Sequence, residues 1–289
     1  MNSNKNILVT GANGQLGMEF RELEKRYPGF NFLFVAKEEL SITDTDLLDN
    51  YFKQNNIYCC INCAAYTAVD KSETDKEAAL LVNAEAPAAL SSLCKKYGSI
   101  FFHFSTDYVF DGKADTPYLE TFETNPVNFY GETKLIGEQK VLQNNPEAFI
   151  IRTSWVYSSH GKNFVKTILR LMCEKESIGV VSDQFGCPTY AADLADTVMQ
   201  IINKKNKIND GIYNYSNEGI ISWYDFAIEI KKLVHSKCLV NPINTSSYPT
   251  PAKRPHYSAL NTDKIKNTFQ LQIPHWKASL SKCIDLLSF

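Results

Sequence analysis

An α/β fold is predicted for this chain: a doubly wound parallel sheet with a smaller, mixed α/β C-terminal lobe. Three observations predict it. Short, β-rich apolar runs alternate with longer helical patterns through the first half of the chain. One of those runs, Ile100-Phe101-Phe102-His103-Phe104, is apolar almost without alternation, as suits a strand buried on both faces. A glycine-rich turn stands directly between the first run and the first helical stretch. The chain has 289 residues, 44% of them hydrophobic and 21% charged, enough for two modest domains or one large one with a buried core.

Taken in order, strands are expected at residues 6–10, opened by Ile7-Leu8-Val9, and at 32–36, 59–63, 100–105 and 149–152. Helices are expected between them at 14–26, 44–55, 75–97 and 130–143. Right-handed crossovers wind such a series into a doubly covered sheet. After about Ser154 the pattern shortens to a helix at 163–175, a strand at 178–182, a helix at 192–203 and a solvated turn at Lys204-Lys205-Asn206-Lys207. Beyond these come a run at 211–215, an amphipathic stretch at 223–235 and a Pro-punctuated segment at 242–255. Residues 1–154 are therefore expected to form a dinucleotide-binding domain, completed by about 183–210. A substrate-binding lobe would take 155–182 and 211–289.

Composition narrows the function. Lys plus Arg number 30 against 32 Asp plus Glu, which offers no positive field to a nucleic-acid backbone. The first residues are polar, without an apolar signal core, and no apolar run approaches the roughly 18 residues of a membrane span, so a cytoplasmic protein is expected. Of the eight cysteines only Cys60 and Cys63 have CxxC spacing, with no second pair and no Cys/His cluster at zinc spacing, which predicts reduced, mostly buried thiols and no metal site.

Gly11-Ala12-Asn13-Gly14-Gln15-Leu16-Gly17 follows the first strand and opens the first helix, a GxxGxxG turn of Rossmann-like type. Absent side chains let the backbone approach a pyrophosphate, whose charge meets the free N–H groups of the helix start. At the tip of the second strand, where an acidic residue would hold the ribose 2′-hydroxyl of NAD, stands Lys37. Lys37 could neutralise a 2′-phosphate, favouring NADPH with NADH still usable, or be a solvated surface residue. Tyr130-Gly131-Glu132-Thr133-Lys134 puts a phenol and an ammonium on one helix face at i, i+4, where the cation is expected to lower the Tyr130 pKa. Thr106, at the exit of the fourth strand, adds a hydroxyl placed to bind a carbonyl oxygen. Thr106, Tyr130 and Lys134 together read as a reduction site.

These motifs resemble the extended short-chain dehydrogenase/reductases and, among them, the dTDP-4-dehydrorhamnose reductase family. The likeness runs almost end to end through residues 62–71, Asn83-Ala84-Glu85-Ala86-Pro87, Ser105-Thr106-Asp107-Tyr108-Val109-Phe110-Asp111-Gly112, Arg152-Thr153-Ser154-Trp155-Val156-Tyr157, residues 183–189 and Arg254-Pro255. The resemblance implies that Tyr130 protonates the C4 oxygen of a 4-keto-6-deoxy nucleotide sugar, that Lys134 holds the cofactor ribose and that Thr106 binds the keto oxygen. Ile42, Cys63, Ala64, Ala65, Tyr66 and Asn83 would join the glycine turn in bordering the cofactor. Thr67, Val69, Asp107, Tyr108 and Trp155 would shape the sugar pocket, and Asn163, Gln184 and Arg254 would face the diphosphate. Trp155 and Tyr108 could also be core aromatics, and Arg254 a surface ion pair. Two departures stand out: Ser41 replaces an Asp often found near the adenine, and no acidic cluster marks the Mg²⁺-linked dimer of some members, which leaves metal and monomer or homodimer open. A non-catalytic regulatory subunit like that of methionine adenosyltransferase, or a nucleotide-sugar epimerase, are the other readings of the same fold.

Overall fold

A computed structural model describes residues 5–204 and 211–287. The alternating runs of the first half become five strands, β1 (Lys5–Thr10), β2 (Phe30–Val35), β3 (Ile57–Asn62), β4 (Ile100–Thr106) and β5 (Phe149–Thr153). Between them run α1 (Gln15–Leu23), α2 (Thr45–Asn55), the short α3 (Val69–Ser72), α4 (Lys76–Leu80), α5 (Ala86–Tyr97) and α6 (Phe129–Asn144). The helix expected at 75–97 is α4 and α5 joined by one π turn, Leu81–Glu85. Later elements are β6 (Val156–Tyr157), α7 (Phe164–Glu174), β7 (Ser177–Val181), β8 (Phe185–Gly186), β9 (Thr189–Tyr190), α8 (Ala191–Asn203) and β10 (Gly211–Tyr215). The chain ends through β11 (Ile221–Ser222), α9 (Trp223–Leu233), β12 (Leu239–Ile243), α10 (Asp263–Phe269) and α11 (Trp276–Asp285). Of the turn expected at 204–207, Lys205, Asn206 and Lys207 lie outside the described residues.

The main sheet has the order β10-β5-β4-β3-β1-β2, and every pairing in it is parallel. One face is covered by α1, α8 and α10 through Phe20, Leu194, Val198 and Phe269; the other by α2, α5 and α6 through Leu48, Phe52, Leu90 and Val141. The chain leaves β1 toward β2 on one side and returns to β3 on the other, and the crevice this reversal creates at the strand ends is where α/β sheets hold ligands. A second core gathers α7, α9, α11, β7 and β12 around Phe226, Ile230, Trp276 and Leu280. Its small sheets are mixed, β7 with β12 parallel and β8 with β11 antiparallel.

One expectation is corrected. Residues 211–215 belong to the main sheet, with β10 paired to β5 from Gly211 opposite Phe149 to Tyr215 opposite Thr153. Tyr213 stacks on Phe149 at 4.5 Å, and Ile265, Phe269, Leu271 and Ile273 pack into the same core, so that part of the C-terminal segment also covers the sheet. Without β10 the edge of β5 would present unpaired N–H and C=O groups, which demand a partner strand. A five-residue β-rich run such as Gly211–Tyr215 reads the same whichever sheet it joins.

Candidate active site

The glycine turn is built by close approach. Gly11 has φ +64°, and a Cβ there would stand 2.6 Å from the Ala64 nitrogen; a Cβ on Gly17 would stand 2.5 Å from the Gly11 carbonyl oxygen. Backbone from β1, β2 and β3 thus meets around an open cavity of about 390 Å³. Gly11, Asn13, Gly14, Lys37, Ile42, Cys63, Ala64, Ala65 and Tyr66 line it, as do Glu38, Leu40, Ser41, Thr43 and Val82, of which only Ser41 stood out in the sequence. A cradle that tolerates no Cβ at Gly11 and opens onto a helix start fits an extended dinucleotide.

Four residues expected at the cofactor act from behind. Gly17 is buried under the turn and Leu16 packs into the sheet core. The Gln15 side chain accepts a hydrogen bond from Asn163 at 2.9 Å. Asn83, fully buried in the π turn, accepts from the Tyr66 N–H at 2.9 Å and donates to the Tyr66 carbonyl at 3.0 Å and to Thr133 at 3.1 Å. It therefore clamps the cradle wall to α6. Such π turns recur at functional sites.

At the end of β4, Thr106 donates its hydroxyl proton to Asp107 at 2.9 Å and accepts the Tyr108 N–H at 3.2 Å. Tyr130 lies beside it, half-buried, with its ring edge-on to Tyr108 at 5.9 Å. Lys134 is buried and donates to the Phe104 carbonyl at 2.6 Å. The expected lowering of the Tyr130 pKa is corrected: burial of the hydroxyl, helped by Asp107, raises it. Lys134 is turned into the sheet and bonded there, so the dominant effect on the phenol is desolvation. Burial likewise pulls Lys134 down to about 8, with Glu138 opposing, and pushes Asp107 up to about 7. A phenol kept neutral is fit to give a proton.

A second cavity of about 440 Å³ opens on the lobe side. Val69, Tyr108, Gln184 and Arg254 line it together with Asp70, Phe164, Thr167, Trp223 and Tyr248, to which the sequence assigned no role; Phe164 and Trp223 read as core because they are aromatics in helical stretches. Arg254 pairs with Asp70 at 2.9 Å, yet its Nη1 is buried without a hydrogen-bond partner. Trp155 adopts φ +48° and stacks on Trp223 at 3.5 Å, over Gly186, where a Cβ would meet the indole at 2.7 Å. Asp107 is buried, and Thr67 is exposed on the turn before α3, outside the cavity lining. Asn163 also lies outside that lining: it caps α7 by accepting the Lys166 N–H at 3.1 Å and donates to Gln15 and to the Ser158 carbonyl. Its amide is occupied by protein rather than aimed at a diphosphate.

A family model described as the RmlD substrate binding domain matches residues 5–289. A dTDP-4-dehydrorhamnose reductase of Aggregatibacter actinomycetemcomitans is 40% identical over 286 residues, covering 95% of this chain and 96% of its own. This chain belongs to the dTDP-4-dehydrorhamnose reductase family. The crystal structure of a family member from Clostridium acetobutylicum superposes with a TM-score of 0.93 at 40% identity, over 97% of this chain and 99% of that one. A member from Bacillus anthracis, solved in complex with NADP, gives a TM-score of 0.93 at 35% identity over 98% and 99%. The family drawn from the Thr106, Tyr130 and Arg254 strings is borne out, and so is the doubly wound fold.

Proposed function

We propose that this protein reduces the C4 keto group of dTDP-4-dehydro-L-rhamnose to give dTDP-L-rhamnose, with NADPH as reductant and NADH usable. The observation that carries the reading is Thr106 at the end of β4 with Tyr130 beside it and Lys134 bonded to the Phe104 carbonyl of the same strand, in a chain that also has a cradle fitting a dinucleotide and a second cavity lined by Tyr108 and Arg254. When bound, the reduced nicotinamide supplies hydride to C4. Tyr130, a neutral phenol whose pKa burial holds above its ordinary value, gives its proton to the oxygen on which charge develops. Thr106 turns its hydroxyl from Asp107 to that oxygen. Lys134, buried and bonded to the Phe104 carbonyl, turns to hold the ribose, Lys37 meets the 2′-phosphate from its exposed place after β2, and Arg254 takes the diphosphate. Eight free cysteines suit a reducing cytoplasm.

The test follows absorbance of NADPH with the keto sugar. Tyr130→Phe keeps the ring and removes the transferable proton, so turnover should fall by about two to four orders of magnitude while NADPH binding persists. Near-normal turnover in folded Tyr130→Phe protein would remove Tyr130 from the reaction.

A further inference from the structure

Four buried polar side chains run across the sheet behind the cradle, and the reaction described above uses only the last. Thr10 at the end of β1, Asn62 at the end of β3, His103 in β4 and Lys134 on α6 are each at most 2% exposed. The Thr10 hydroxyl donates to Asn62 Oδ1 at 2.7 Å, and the Ala64 N–H donates to the same oxygen at 3.3 Å. The Asn62 nitrogen stands 3.1 Å from His103 Nδ1, and His103 Nε2 stands 3.5 Å from Lys134 Nζ.

The protons in this row are fixed by elimination. A backbone N–H only donates, so the Asn62 atom facing Ala64 is the carbonyl oxygen and the amide nitrogen faces His103. That nitrogen only donates too, so His103 Nδ1 must offer a lone pair. The imidazole is therefore neutral with its proton on Nε2, the state that burial and the nearby ammonium also favour by holding its pKa well below the ordinary value. Toward an ammonium at Lys134, the Nε2–H is a donor facing a donor. Toward a neutral amine it makes a hydrogen bond to the nitrogen lone pair.

We infer that His103, locked in its Nε2–H tautomer by Asn62, is a positioning residue that favours the neutral amine of Lys134 over its ammonium. The inference rests on the assignment of Lys134 to the reaction. Once Tyr130 has protonated the sugar oxygen, its phenolate must regain a proton. A proton passing from Nζ to the phenolate leaves a lone pair on Nζ, which then accepts the His103 Nε2–H, and water reprotonates Nζ when the site exchanges ligands. Only N–H and O–H bonds change. The other groups acting on Lys134 are the Phe104 carbonyl on β4 and Glu138 on α6, the latter paired with Arg152 on β5; Tyr130 stands one helical turn earlier on α6, with Asp107 acting on it. Glu138 favours the ammonium, but both its oxygens are held by Arg152 at 2.9 and 2.7 Å.

Nitrogen NMR of the full chain with isotopically labelled histidine reads the tautomer without turnover, so a failure here is distinct from a failure of the proposed reaction. His103, identified by its loss in His103→Phe, should show an unprotonated Nδ1 and a protonated Nε2 across neutral and mildly alkaline pH. The Nε2 signal should step as Lys134 titrates, and the step should vanish in Lys134→Met. Asn62→Asp puts an acceptor opposite Nδ1 and reverses the tautomer, so the alkaline limb of kcat should move up by about one pH unit. A proton on Nδ1 in the unaltered protein would overturn the inference. So would an unmoved alkaline limb in folded Asn62→Asp protein whose tautomer has reversed.

Discussion

Asp107 carries the charge this fold opposes most clearly. One oxygen accepts the Thr106 hydroxyl, while Oδ2 is buried without a hydrogen-bond partner, and Ser258 and Thr106 only partly offset the burial that raises its pKa from 3.8 to about 7. The folded protein therefore keeps this proton through a range in which the unfolded chain releases it. Its contribution to stability is greatest below about pH 4, falls as pH rises toward 7, and above that is a constant cost of at most about 4 kcal/mol. Asp107→Asn keeps an acceptor for Thr106 and removes the charge. Thermal melts should show a higher Tm than the parent above pH 7 and a flatter profile between about pH 4 and 7. Arg254 makes the opposite kind of residue-scale case, a charge already paired to Asp70 but with Nη1 still unpartnered in the second cavity. Arg254→Ala should raise KM for the nucleotide sugar by about tenfold or more and change kcat less, because a diphosphate contact is shared by ground and transition states; steady-state kinetics decide it.

At the scale of elements, α6 sets the catalytic geometry through its glycines. A Cβ at Gly131 would stand 2.2 Å from the Tyr108 carbonyl oxygen, and one at Gly137 would stand 2.1 Å from the Asn83 carbonyl oxygen. The helix can thus lie directly on the turn after β4 and on the π turn, which places Tyr130 and Lys134 over the end of the sheet. Asn83 ties the same π turn to Thr133 and to the cradle wall at Tyr66. Alanine is the better helix former by about 1 kcal/mol, yet Gly137→Ala should destabilise the protein by about 1–3 kcal/mol because backbone, not a flexible side chain, blocks the new methyl. Denaturant midpoints measure this, with Gly29→Ala, whose Cβ would meet nothing within 4 Å, as the tolerated comparison.

Across the whole molecule, the cofactor turn and the lobe share partners. Asn163 caps the first helix of the lobe and donates to Gln15 at the start of α1, while Ser158 donates to the buried Glu19 of the same helix at 2.5 Å. Asn163→Ala should cost about 0.5–2 kcal/mol through the lost cap. It should also weaken NADPH binding measured by calorimetry and raise KM for the sugar, since one side chain braces both sides. A change in stability with both affinities intact would confine Asn163 to capping.

The sequence by itself determined what local rules govern. The alternation of runs, the glycine turn after β1, the i, i+4 spacing of Tyr130 and Lys134 and the Thr106 hydroxyl at a strand exit were all legible, because turn chemistry and helical period act over a few residues. The lining of the first cavity was largely legible for the same reason, as three consecutive strand ends must meet there. The tertiary structure alone decided that residues 211–215 complete the main sheet, that Asn83 and Asn163 spend their amides on protein, and that Trp155 takes a left-handed φ to stack on Trp223. It also decided that Lys134 faces His103 and a carbonyl, so that burial raises the Tyr130 pKa instead of a cation lowering it. Hydrogen-bond satisfaction and desolvation depend on which distant groups close around a side chain, and no spacing along the chain records that closure.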